Sequence, residues 1–137
     1  MVVKGAKRRR LMVPDVPEPP QGYWSNCYVI GDLVVIAGMV GKDRDNKAIG
    51  PGDALKQSIV AFERMKLFME AAGGKMGDII KLNAYLTDIR DREHFVKARQ
   101  QFFSGDFPPC TVVGGTLFAQ PEFRVEIDAW AILGSGD

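Results

Sequence analysis

Arg124-Val125-Glu126-Ile127-Asp128-Ala129-Trp130-Ala131 alternates with the two-residue period of a β-strand. Val125, Ile127, Ala129 and Ala131 share one face, which is a core face. Arg124, Glu126, Asp128 and Trp130 share the other. Ionisable groups on so apolar a strand are costly when dry and unpaired, so this second face must meet water, a ligand or another subunit.

Working outward from that strand, Phe107-Pro108-Pro109-Cys110-Thr111-Val112-Val113 leads into a strand around residues 110 to 117, and the closing strand extends over about 123 to 133. Upstream, residues 91 to 103 have a helical stripe of Phe95, Ala98 and Phe102, and Ile79 to Leu86 alternates as a strand. Pro51-Gly52-Asp53 opens a longer helix with a side-chain cap. Leu55, Ile59, Phe62, Met65, Met69 and Ala72 then follow at three- and four-residue spacing, and Gly73-Gly74 ends it. Tyr23 to Ile30, the Gly31-Asp32 turn and Leu33 to Ala37 read as a hairpin whose second strand is buried on both faces. Residues 42 to 52 are polar, with at most a short strand at Ala48-Ile49.

The order β-β-(β)-α-β-α-β-β gives an α+β fold, a mixed sheet of five to six strands. Two helices, each about 10 Å wide, cover only one face of strands about 4.8 Å apart. The open face is expected to be buried by self-association in a closed ring.

At 137 residues, 46% apolar and 26% charged, the chain fits one globular domain, placed at residues 21 to 134. Residues 1 to 20 form a basic and then proline-rich lead-in, expected to be extended and loosely held, and residues 135 to 137 a C-terminal tail. Lys4, Lys7, Arg8, Arg9 and Arg10 bring the net charge to +1. Beyond residue 10, thirteen basic residues face seventeen acidic ones. A mildly acidic domain argues against a nucleic-acid face, leaving the basic tail as local support for an RNA contact. No apolar run approaches the ~20 residues of a membrane span and no signal peptide is evident, so a cytoplasmic protein without a membrane partner is expected. Cys27 and Cys110 form no C-x-x-C pattern, and His94, read as a surface helix residue, stands alone. Neither a metal site nor a histidine-based triad is expected.

Several segments resemble the RidA/YjgF family, the reactive-intermediate imine and enamine deaminases also called endoribonuclease L-PSP proteins. Gly22-Tyr23-Trp24-Ser25-Asn26 stands where the family writes Gly-Pro-Tyr-Ser-Gln, and Ala37-Gly38-Met39 stands for Ser-Gly-Gln. Glu70-Ala71-Ala72-Gly73, Asp78-Ile79-Ile80-Lys81, Tyr85-Leu86-Thr87-Asp88, Phe102-Phe103, Phe107-Pro108 and Val125-Glu126-Ile127-Asp128-Ala129 keep the family's order and spacing. The resemblance covers residues 19 to 133. It implies a chorismate-mutase-like fold, a homotrimer whose open sheet faces form a central barrel, and clefts for a small metabolite at the subunit boundaries, with no cofactor.

The resemblance also implies site residues. Glu126 occupies the place of the family's water-activating glutamate, Gly38 offers a backbone N–H to the cleft, and Trp24 takes an aromatic position. Cys110 departs from the pattern, because the family's Pro-Ala-Arg, whose arginine clamps a substrate carboxylate, is here Pro108-Pro109-Cys110. An asparagine of the family's second helix aligns with Val96. The pocket is therefore expected to be wider and less cationic. Arg124 or Arg99 is considered as a replacement for the charge.

Each residue also has a plainer reading. Glu126 pairs with Arg124 or a neighbouring subunit's cation, Trp24 packs between subunits, Cys110 is a small strand-start residue, and Gly114-Gly115 is a bulge or close-packing feature. The resulting expectation is a RidA-like hydrolase acting on a small imine or enamine. The alternatives are a non-catalytic small-molecule-binding trimer and an RNA-cleaving protein.

Overall fold

The computed structural model describes residues 4–136. The extreme ends of the two expected tails, residues 1–3 and 137, lie outside the described residues. Six strands and two helices follow in the order β1 (Arg8–Arg10), β2 (Cys27–Ile30), β3 (Leu33–Met39), α1 (Ala54–Ala71), β4 (Ile79–Leu86), α2 (Arg92–Gln100), β5 (Cys110–Val113) and β6 (Val125–Ile132). They form one mixed sheet ordered β1-β2-β3-β6-β4-β5. Only β4 and β5 run parallel, because α2 carries the chain across between them.

The helices cover one face, as expected. Val34, Ile36, Leu82, Ala84, Val125, Ile127, Ala129 and Ala131 are buried beneath them. Phe62 of α1 is the hub of an aromatic cluster, its ring centroid 5.8 Å from Phe95, 5.4 Å from Phe102 and 5.8 Å from Phe103. Asp53 caps α1 by accepting from the Lys56 N–H at 3.0 Å, and Gly73 ends it at φ +87°. His94 is exposed on α2. Gly114 packs closely, since a Cβ there would lie 2.6 Å from Ile89 Cβ.

The opposite face is open. Tyr28, Val35, Trp130 and Lys81 lie side by side in register across β2, β3, β6 and β4, and Trp130 is 51% exposed. Burial of β3 on both faces is therefore not reached within one chain. Val34 and Ile36 are buried, whereas Leu33, Val35 and Ala37 stay partly exposed, because among the described residues no element packs on that side.

Two expectations are corrected. The extra strand is not at Ala48-Ile49, where the chain makes only one isolated bridge, Lys42 to Ala48. It is Arg8–Arg10, which adds to the free edge of β2 and continues with a 2.9 Å bond from Leu11 N–H to the Cys27 carbonyl. The lead-in is correspondingly not loosely held. The prolines begin only at residue 14, so residues 8 to 11 keep the amide donors that a sheet edge accepts, and Val13 and Val16 are buried in the core. Among the described residues no helix is long and apolar enough to cross a membrane.

Candidate active site

β3 and β6 diverge where the expected site residues meet. Their register runs regularly to Ile36–Ala129, shifts, and resumes at Met39–Ile127, so Gly38 lies in an irregularity opposite the start of β6. Glu126 fills the space. A Cβ built on Gly38 would lie 2.6 Å from the Glu126 Cδ and 2.8 Å from its Cγ, so only glycine lets the carboxylate lie flat against β3. Burial pushes the Glu126 carboxyl above the usual carboxylate range. The charge of Asp128, two residues along on the same face, pushes it further, and Lys42 opposes both. Asp128 itself accepts from the Asn83 side-chain amide at 2.8 Å.

Trp24 forms a wall of the same cleft and is held from behind. Its indole N–H donates to the Asn26 side-chain oxygen at 3.2 Å. The buried Asn26 amide donates in turn to the Pro17 carbonyl at 3.1 Å and to Glu18 at 3.0 Å, and Glu18 pairs with Arg10 at 2.6 Å. The N-terminal arm therefore both lines the cleft, through Val16 and Pro17, and fixes its aromatic wall. The cavity has a volume of about 360 Å³, and its far side is the segment carrying Leu117, Phe118, Gln120 and Phe123. Gln57 of α1, fully buried, ties that segment down. Its amide donates to the carbonyls of Gly50 (3.0 Å) and Glu122 (2.8 Å), and its oxygen accepts from the Arg124 N–H at 2.7 Å.

Two cations of the cavity, Lys42 and Arg64, were not expected. Arg64 projects from α1 and donates to the carbonyls of Val40 (3.3 Å) and Lys42, pinning the segment after β3. Lys42 Nζ lies 6.0 Å from the centre of the Trp24 ring. Burial, then the charge of Arg64, holds the Lys42 ammonium below its ordinary value, and Glu126 acts the other way. The lining thus carries two cations, one from the β3–α1 connection and one from α1 itself.

Glu126, Gly38 and Trp24 come together; Cys110 does not join them within one chain. Register explains the separation. Cys110 pairs with Leu82 and Glu126 with Tyr85, positions three apart on β4 and therefore on opposite faces. Cys110 faces the helices. There burial raises its thiol and Arg99 opposes the rise, leaving a neutral thiol rather than an activated nucleophile. Arg99 stacks between Phe95 and Phe107, 5.3 and 5.7 Å from their ring centres, so of the two arginines considered it stands beside residue 110. Arg124 is engaged elsewhere, bound to Asp91 at 2.6 and 3.0 Å rather than to Glu126. A larger hollow of about 880 Å³, near Gly74, Phe103 and Gly136, contains none of these residues, and its ionisable groups Lys66, Glu70, Lys75 and Asp106 are all exposed.

The family model described as endoribonuclease L-PSP matches residues 16–133, nearly the whole described fold. The chain belongs to this RidA/YjgF family. It is similar to a 2-iminobutanoate/2-iminopropanoate deaminase of Dermatophagoides farinae, 27% identical over 126 residues, covering 92% of this chain and 97% of that protein. Among solved structures it resembles a Pseudomonas aeruginosa protein of unknown function, 36% identical with a TM-score of 0.85 and 96% of both chains covered. It also resembles RidA from an Antarctic Psychrobacter, 26% identical with a TM-score of 0.77, covering 91% of this chain and all of that one. These likenesses include the strands that carry Gly38 and Glu126, so this RidA/YjgF chain holds its acid on the family's own scaffold.

Proposed function

We propose that this RidA/YjgF protein is a hydrolase of small imines or enamines and that the Glu126 cleft is where it acts. The observation that carries the reading is the Glu126 carboxyl laid against Gly38, partly withdrawn from water and raised toward the range of a working general base. Glu126 takes a proton from water as the oxygen attacks the C=N carbon. The nitrogen takes that proton to give the carbinolamine, and as the C–N bond breaks the hydroxyl proton passes to it by way of Glu126, so ammonia leaves carrying both protons of the water and a carbonyl compound remains. The deaminase among its relatives supports this chemistry.

The open sheet face, with Trp130 exposed in the row from Tyr28 to Lys81, supports assembly into a homotrimer with that face inward. Sedimentation at three times the chain mass is the expected result. The basic arm gives less support to RNA cleavage than its sequence promised, since Arg8 lies over the Tyr28 ring at 5.0 Å and Arg10 is bound to Glu18.

The test is direct. Imines generated in solution from a panel of amino acids by an amino-acid oxidase are followed to ammonia and oxo acid, with and without protein. Acceleration above the spontaneous rate is expected. Thermal stabilisation by the same metabolites without turnover would favour the non-catalytic binding trimer instead.

A further inference from the structure

Lys42 is placed like a ligand-binding cation rather than a surface lysine. Its backbone is fixed from two sides, by Arg64 on its carbonyl and by the bridge to Ala48. Its side chain turns into the cavity toward Trp24. Among the described residues its ammonium makes no ion pair within 4.0 Å, although Glu126 is near enough to influence it. A partly dehydrated cation beside an aromatic face, with no fixed counter-ion, is a seat for an anion brought by something else.

The cavity's charge points the same way. Arg64 and Lys42 outnumber the single acid Glu126 in the lining, and Arg64 turns both of its terminal nitrogens to backbone carbonyls whereas the Lys42 ammonium is turned to the Trp24 ring. The remaining walls are apolar or aromatic: Val16, Trp24, Met39, Phe118 and Phe123. A volume of about 360 Å³ has room for a ring or branched chain beyond a three-carbon imino acid.

We infer that Lys42 anchors the carboxylate of the substrate and that the cleft takes monoanionic imino acids with an aromatic or large apolar body. The inference rests on the proposed hydrolysis for the imine, but not for the anion. Placing the carboxylate at Lys42 puts the adjacent C=N carbon on the side of Glu126, while the apolar body lies along Trp24.

Calorimetric binding of phenylpyruvate, an unreactive oxo-acid analogue, tests the anchor without catalysis. Phenylpyruvate is expected to bind at least about 10-fold more tightly than pyruvate, through burial of the ring, and more tightly than its own uncharged methyl ester. Lys42→Met should weaken phenylpyruvate about 10- to 100-fold while leaving the ester unchanged, and Lys42→Arg should restore most of the loss. Circular dichroism confirms that each variant is folded. Equal weakening of acid and ester, no weakening of the acid, or no binding of phenylpyruvate by the unaltered protein overturns the inference. If the acid binds through Lys42 but no imine is turned over, the hydrolytic reading falls and the anion seat stands. If imines are turned over and Lys42→Met binds phenylpyruvate as the parent does, the reverse holds.

Discussion

Gly38→Ala separates the site from the fold more cleanly than any other single change. The glycine is in strand conformation rather than at positive φ, so alanine meets no backbone penalty. Its methyl would lie 2.6 Å from the Glu126 Cδ and 2.8 Å from the Cγ, against about 3.5 to 4.0 Å for ordinary carbon contact. The carboxylate must therefore retreat by about 1 Å. A displacement of that size in a reacting group costs roughly 100-fold in rate, or about 2.7 kcal/mol of transition-state stabilisation. The fold loses little, because the group that moves is a flexible half-buried side chain beside open space. The lower entropy of the unfolded alanine chain offsets about 0.4 to 1 kcal/mol of any crowding. Stability by urea unfolding should thus change by no more than about 1 kcal/mol while kcat/KM for imine hydrolysis falls about 100-fold. Full activity in Gly38→Ala would refute the reasoning. A stability loss above about 3 kcal/mol would as well, since the activity loss would then follow from unfolding.

Other consequences concern what holds the cleft. Glu126→Gln should raise the thermal midpoint at neutral pH. A carboxyl raised on folding stabilises the native state fully below its unfolded value and loses that contribution as pH rises through the folded one, so the gain over wild type should shrink on acidification; a midpoint gain independent of pH would contradict the cause assigned. Gln57→Leu leaves the Arg124 N–H without its acceptor and removes one of the two donors to the Gly50 and Glu122 carbonyls, which keep their bonds from the Asp53 and Gly52 N–H groups; it should cost about 2 kcal/mol in urea unfolding, a cost under about 0.5 kcal/mol being the contrary result. Asn26→Ala frees the Trp24 indole from its tether to the N-terminal arm. Phenylpyruvate binding should weaken several-fold with a red-shifted tryptophan emission, and an unchanged spectrum would show that the arm does not position Trp24.

Most of the fold was legible because its core residues repeat with the right period. The alternation in β6 and the spacing of Phe62, Met65 and Met69 in α1 survive in the structure almost unchanged, their ends trimmed where capping takes over. Arg8–Arg10 was not legible as a strand, because three consecutive arginines have no apolar alternation. What holds them is backbone pairing to a free edge and the anchoring of Val13 and Val16, and neither leaves a periodic mark. The site divides in the same manner. Glu126 and Gly38 were readable from the strand pattern and the family resemblance. Lys42 was hidden because a lysine in a Gly- and Asp-rich loop looks solvated, and it turns inward only because Arg64, itself a polar residue on the buried side of α1, grips the loop's carbonyls. Cys110 was placed by its alignment with the missing arginine, whereas strand register sends it toward the helices.

The most direct measure of the central claim is the rate of oxo-acid formation from a freshly generated imine, compared between the parent protein and a folded Glu126→Gln. The account predicts clear acceleration by the parent and a loss of at least about 100-fold on removing the base. Equal rates for the two proteins, or a parent no faster than the spontaneous reaction, would contradict it.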